Sequence, residues 1–131
     1  MSQENIEVVR QMFEAFIGRD YDASLHAFAS DAIGDFTHMM DGRIAHGRDE
    51  IAREVARWAQ EWTDFQTSIE SYRATGEEVL VFVRQVGTGR LSGITSELAY
   101  AQVFVVEAGE ITRMKTYLDR AEALEAAGLQ E

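Results

Sequence analysis

The apolar residues of this chain change period once, near Asp64, and that change limits what it can fold into. Before it, apolar side chains recur at helical spacing; after it, they alternate every second residue. Ile6, Val9, Phe13, Phe16 and Ile17 make one face of a first helix, with Ser2 as cap, Glu4 in the first turn and Gly18 as stop. Asp20 caps a short second helix carrying Leu25 and Phe28, and residues 32–40 read as a short strand. A third helix opens at "GRDEI". Ile51, Val55, Trp58 and Trp62 fall on one of its faces, and Arg53, Glu54 and Arg57 lie off it. Beyond Asp64, strands are expected near 65–74, 78–90, 94–106 and 110–118, with turns at Thr75-Gly76, Ser92-Gly93 and Ala108-Gly109. Asp119 and Glu122 open a last helix that ends at Gly128. Helices followed by an antiparallel meander give an α+β fold, expected as a single domain over residues 1–131.

Composition removes whole classes of function. Twelve basic residues against 23 acidic ones leave a net charge of −11, which repels phosphate backbones and anionic lipid, so neither nucleic acid nor a membrane is expected as partner. The chain has no cysteine, and therefore no disulfide, thiolate metal site or cysteine nucleophile. Apolar runs such as "VLVFV" are too short to span a bilayer, and the polar N-terminus is unlike a signal peptide; a cytoplasmic protein is expected. No H-x-H or H-E-x-x-H spacing occurs, and "GTGRLSG" runs from strand into strand rather than into a helix. Neither a metal nor a cofactor is expected.

The last hairpin can be taken to individual faces. A tight turn at Ala108-Gly109 sets Val106 opposite Ile111 and Val103 opposite Met114. One face then holds Ala99, Ala101, Val103, Val105, Thr112, Met114, Thr116 and Leu118, small and apolar, as a core or cavity requires. The other holds Tyr100, Gln102, Phe104, Val106, Ile111, Arg113, Lys115 and Tyr117. Aromatic side chains among charges suit a face covered by a second subunit, so a homodimer through the outer sheet is expected.

Four segments, "VVRQMFEAFIGRDYDASLHAFASDA", "GRDEIAREVARWAQEW", "VLVFVRQVGTGRLSG" and "AYAQVFVVEAGEITRMKTYLDRAEALEAAGL", give the chain a resemblance to the SnoaL-like family of the nuclear transport factor 2-like superfamily. The resemblance implies a cone: a curved, mostly antiparallel sheet with helices on its concave face and a pocket between them. It also implies a range of activities, from polyketide cyclases and ketosteroid isomerases to epoxide hydrolases, dehydratases and non-catalytic binding modules. The isomerases' base aligns with Phe36 and their tyrosine donor falls near Met12. The epoxide hydrolases' arginine matches Arg84, but Gln85 and Val86 follow where an aspartate is wanted, and their second aspartate falls near Thr116. Neither of these activities carries over.

Strand alternation groups Phe36, His38 and Met40 on one face, and the resemblance makes that face inward. His38 is then the nearest titratable group to the family's reactive site, able to move a proton near neutral pH. Asp35 joins it if a bulge turns it inward, where desolvation would raise its pKa. Phe16, Phe36, Met40, Trp58, Trp62, Tyr72, Arg84, Val103, Met114, Thr116 and Leu118 are the expected pocket residues, with Arg84 or Tyr72 stabilising an oxyanion. Arg84 shares its face with Leu80 and Phe82, and the sequence leaves open whether that face is inner or outer. Two readings of function follow. One is a cofactor-independent acid–base enzyme acting on a hydrophobic, oxygen-bearing small molecule; the other is a non-catalytic binding or assembly module with a mostly filled cone.

Overall fold

The computed structural model describes residues 2–39 and 42–129. The element order is α1 (Ser2–Ile17), α2 (Tyr21–His26), β1 (Phe28–Asp35), β2 (Ile44–His46), α3 (Arg48–Ala59), β3 (Trp62–Thr75), β4 (Glu78–Gly89), β5 (Thr95–Glu107), β6 (Glu110–Tyr117) and α4 (Arg120–Ala126). The strands form one curved mixed sheet in the order β2-β1-β6-β5-β4-β3, in which only β1 and β6 are parallel neighbours. None of the described helices is long and apolar enough to cross a membrane.

Local chemistry sets most boundaries where the sequence puts them. The Asp20 carboxylate accepts from the Ala23 amide at 3.2 Å and the Asp119 carboxylate from the Ala121 amide at 2.8 Å, so each satisfies an orphan donor at a helix start. The β5–β6 turn is the two residues Ala108 and Gly109, both left-handed, with Glu107 paired to Glu110. Several assignments differ. The third helix ends at Ala59, so Trp62, expected on its apolar face, opens β3 instead, and the short strand β2 is not among the expected strands. Phe28 belongs to β1 rather than to the second helix, and β1 ends at Asp35, so residues 36–39 are not strand. The carbonyl of Phe36 accepts from Met39 N at 2.9 Å, which closes a turn that the alternating pattern of "DFTHM" does not announce. Met40 lies outside the described residues.

The inner face of the sheet carries Val79, Val81 and Val83 of β4, Phe104 and Val106 of β5, and Ile111 and Met114 of β6, all buried beneath α1. Phe104 is fully buried and meets Phe13 edge-on, with ring centroids 5.6 Å apart. The expected facing of β5 is reversed. A bulge between Val105 and Val106 slips the pairing so that Phe104, not Val103, lies opposite Met114, and Gln102 lies opposite Thr116. Tyr100, Gln102 and Phe104 therefore point inward, and Ala101 and Val103 outward.

The outer face is small at Ala101 and Val103 because α4 lies on it. Leu80, Ala101, Val103 and Tyr117 pack with Ala123 and Leu124 in a second apolar cluster. Beside this cluster, Arg120 stacks over Phe82 at 4.7 Å and reaches Glu70 at 2.7 Å. The aromatic face that motivated a second subunit is thus mostly interior, and of its rings only Tyr117 faces outward. Phe104→Ala should lower unfolding free energy by about 3–5 kcal/mol, because it removes a ring that the surrounding strands cannot close over. Urea denaturation of the two proteins gives that difference, and a loss below about 1 kcal/mol would contradict the central place assigned to this ring.

Candidate functional site

Between the helices and the inner face lies a cavity of about 750 Å³. Its aromatic wall follows from helix and strand periodicity. Phe16 of α1, Trp58 of α3 and Trp62 at the start of β3 all face it. Buried Phe65 packs behind them, with its ring 6.3 Å from Phe16 and 5.0 Å from Trp58. Tyr21 extends the series, 5.5 Å from Phe16. Gly87 seats the Trp62 indole: a Cβ at residue 87 would lie 2.7 Å from that ring, so any side chain would push the indole away. Gly34 has a similar part on β1, where a Cβ would come within 2.9 Å of the Phe36 ring and 3.1 Å of Ile51.

The floor is the sheet. Leu98, Tyr100 and Gln102 of β5, Met114 of β6 and Thr67 of β3 reach the cavity, and exposed Leu118 stands at its edge. The Tyr100 hydroxyl donates to Gln85 Oε1 at 3.3 Å, and burial pushes its pKa up, so it is protonated at neutral pH. Gln102 Nε2 donates to Thr116 Oγ1 at 3.1 Å and lies 3.9 Å from Met114 Sδ. Ser24 Oγ donates to the Met12 carbonyl at 3.1 Å. Among the described residues, charge enters from α3 and the turn after it, at Glu54, Arg57 and Glu61. The Glu54 carboxylate is held by Arg57 at 2.6 Å and Arg43 at 3.1 Å.

Of the residues expected from the sequence, Phe16, Phe36, Trp58, Trp62, Met114 and Leu118 line this cavity. The other described ones are elsewhere, and Met40 lies outside the described residues. His38 stands in the turn after β1, its ring 5.0 Å from Tyr117 and its Nδ1 3.6 Å from Glu122 of α4, on the outer side of the sheet. Asp35 pairs across to outward-facing Lys115 rather than turning in. Burial would raise its pKa, but hydrogen bonds from the Thr37 hydroxyl and amide, with Lys115 and His38 nearby, hold it below the ordinary carboxylate value. A lowered pKa is the opposite of what a general base at neutral pH requires. His38 and Asp35 therefore meet in one polar cluster, but not in the cavity.

Arg84 lies on the outer face, paired with Glu97 and with Glu70 at 3.0 Å; the hydrogen bonds it donates to Glu70 and Glu97 raise its pKa further. It stabilises no oxyanion in the cavity. Val103 is outward because of the bulge. Tyr72 faces inward but is covered by α1, between Phe13 at 6.5 Å and the Arg10 guanidinium at 5.6 Å. Thr116 is buried behind Gln102. The two residues the sequence misplaces, Tyr100 and Gln102, had a signal: an uncharged amide inside the apolar run "AYAQVFVV", matched by Gln85 inside "VFVRQVG". Strand register turns both amides inward, where Gln85 accepts from Tyr100 and Gln102 donates to Thr116.

Asp35→Asn should cost about 1 kcal/mol at neutral pH, the worth of a partly exposed charged hydrogen-bond pair. The native pKa is depressed, so this contribution is complete above the unfolded-state pKa and is lost as pH falls through the native one. Urea titrations of both proteins at descending pH should converge in the acid range. A difference that instead grew on acidification would contradict the assignment.

The SnoaL-like domain family model matches residues 9–114. No curated protein matches the chain in sequence. Among solved structures, a nuclear transport factor 2-like protein of unknown function from Burkholderia pseudomallei is 25% identical, with 95% of this chain and 97% of that chain covered and a TM-score of 0.82. TerC, crystallised with polyporic acid, is 21% identical over 95% and 98% of the two chains, with a TM-score of 0.79. A protein with a ketosteroid isomerase-like fold from Catenulispora acidiphila, in complex with trimethylamine, is 21% identical over 95% and 94%, with a TM-score of 0.75.

Proposed function

The chain belongs to the SnoaL-like domain family, and from that premise we propose that it binds a hydrophobic, largely aromatic small molecule inside the cone. The observation that carries this reading is the cavity itself. At about 750 Å³ it falls within the roughly 300–1,000 Å³ of typical ligand sites, and rings rather than charges make its wall. Two aromatic side chains with indole faces, Trp58 and Trp62, offer a flat ligand stacking surface at little entropic cost. A filled cone, as an assembly module would have, does not match this space.

Acid–base turnover through His38 and Asp35 is not part of the proposal, because neither reaches the cavity. Among the lining residues, Tyr100 brings its hydroxyl to the sheet floor, and its raised pKa suits it to hydrogen bonding rather than to proton abstraction. The wall also supplies its own reporter, since both tryptophans of the chain face the same space.

Titration with polyporic acid, the ligand crystallised with one structural neighbour, and with the apolar dye anilinonaphthalene sulfonate tests the reading. At least one should quench or shift tryptophan emission saturably. Ala56→Phe, a substitution at an exposed position on the cavity wall, should weaken that binding about tenfold or more while leaving the unfolding midpoint within a few degrees. Binding unaffected by Ala56→Phe would place the ligand elsewhere and contradict the proposal.

A further inference from the structure

The hydrogen-bond directions on the cavity floor carry a statement about ligand chemistry, which rests on the binding reading above. The polar side chains that reach the cavity from Tyr100 and Gln102 on the floor and from Ser24 of α2 have their hydrogens engaged with protein. The Tyr100 O–H points to Gln85 Oε1, the Gln102 amide N–H groups point to Thr116 Oγ1 and Met114 Sδ, and the Ser24 O–H points to the Met12 carbonyl. What these groups leave facing a ligand is lone pairs: both on Tyr100 Oη, those on Gln102 Oε1, and those on Ser24 Oγ. Gln102 Oε1 accepts from no described residue. The donors that have no partner on this wall, Thr67 Oγ1, Gln85 Nε2 and Trp62 Nε1, are sealed from solvent behind it.

We infer that the cavity selects ligands carrying hydroxyl or N–H hydrogens, a phenol or an alcohol on an aromatic frame, over ligands whose oxygens are only acceptors. A hydroxyl laid on the floor donates to Gln102 Oε1 or Tyr100 Oη and completes their bonding. A carbonyl or ether oxygen in the same place sets lone pair against lone pair, and both groups stay unpaired. Thr116 sets the preference. It does not line the cavity, but it holds the Gln102 amide nitrogen away from the ligand, so it is a positioning residue.

The test uses three ligands on one frame: para-phenylphenol, para-methoxybiphenyl and biphenyl, each titrated calorimetrically into the intact protein. The phenol should bind about tenfold more tightly than the ether and than biphenyl, the worth of one buried hydrogen bond. Gln102→Leu should bring the three affinities together by removing the acceptor. Thr116→Val, nearly the same shape, should reduce the phenol's advantage by freeing the amide to turn. Circular dichroism identifies either variant as folded, and the wild-type ratio decides the inference even if one is not. Equal binding of phenol and ether, or tighter binding of the ether, overturns the donor requirement while the cavity reading stands. If not even biphenyl binds, the cavity reading fails and takes this inference with it.

Discussion

One slipped residue between β5 and β6 decides what this protein can be. With the pairing unbroken from the Ala108-Gly109 turn, the interior would carry Ala99, Ala101 and Val103, and the rings would lie outside. The bulge between Val105 and Val106 moves Phe104 opposite Met114 and Gln102 opposite Thr116. In a strand, side chains alternate, so a shift of one residue exchanges the entire face. The exchange places Phe104 where Phe13 can pack on it, Tyr100 and Gln102 on a cavity floor, and Ala101 and Val103 where α4 can approach closely. The core, the cavity and the seat of the last helix all follow from that register.

The two sides of the sheet then divide the chemistry between them. Outside are the charged groups: Arg84 between Glu70 and Glu97, Arg120 over Phe82, and the cluster of Asp35, His38, Lys115 and Glu122 around Tyr117. These pairs are partly exposed and contribute modestly to stability. The inner face of the sheet carries rings, aliphatic side chains and a few uncharged polar groups, among them the bonded pairs Tyr100–Gln85 and Gln102–Thr116. In such surroundings an amide or a phenol can direct a ligand without the desolvation cost of a buried charge. On the proposed reading such a site recognises shape and hydroxyl placement, with the described charged groups Glu54, Arg57 and Glu61 confined to α3 and the turn after it.

Much of the fold was legible in the sequence because it is written in short-range signals. Helical stripes, the capping aspartates Asp20 and Asp119, and the glycine-containing turns each depend on neighbours within a few residues. The cavity wall residues Phe16 and Trp58 were legible for the same reason, since each lies on a helical apolar face; Trp62 reaches the same wall from the start of β3 rather than from the helix expected to carry it. The failures are all matters of facing. His38 was placed by extending strand alternation past Asp35, where the chain turns instead. Tyr100, Gln102 and Val103 were placed by a hairpin register that a bulge interrupts, and nothing in "VFVVEAGEITRM" announces the bulge. Arg84 was undecided because its partners, Glu70 and Glu97, come from neighbouring strands far apart in sequence. Small outward residues looked like core residues because a helix more than fifteen positions later covers them.

The register also supplies its most direct test. The chain has no cysteine, so a single introduced thiol reports on one position alone. Leu98 and Ala99 are adjacent on β5, the first facing the cavity opposite Gln85 and the second facing outward opposite Arg84. The rate of thiol labelling should be measured in Leu98→Cys and Ala99→Cys, with and without a cavity ligand such as para-phenylphenol. Ligand protection at position 98 and none at position 99 is the result this account predicts. Protection at 99 with free labelling at 98 would place the cavity on the other face and contradict it.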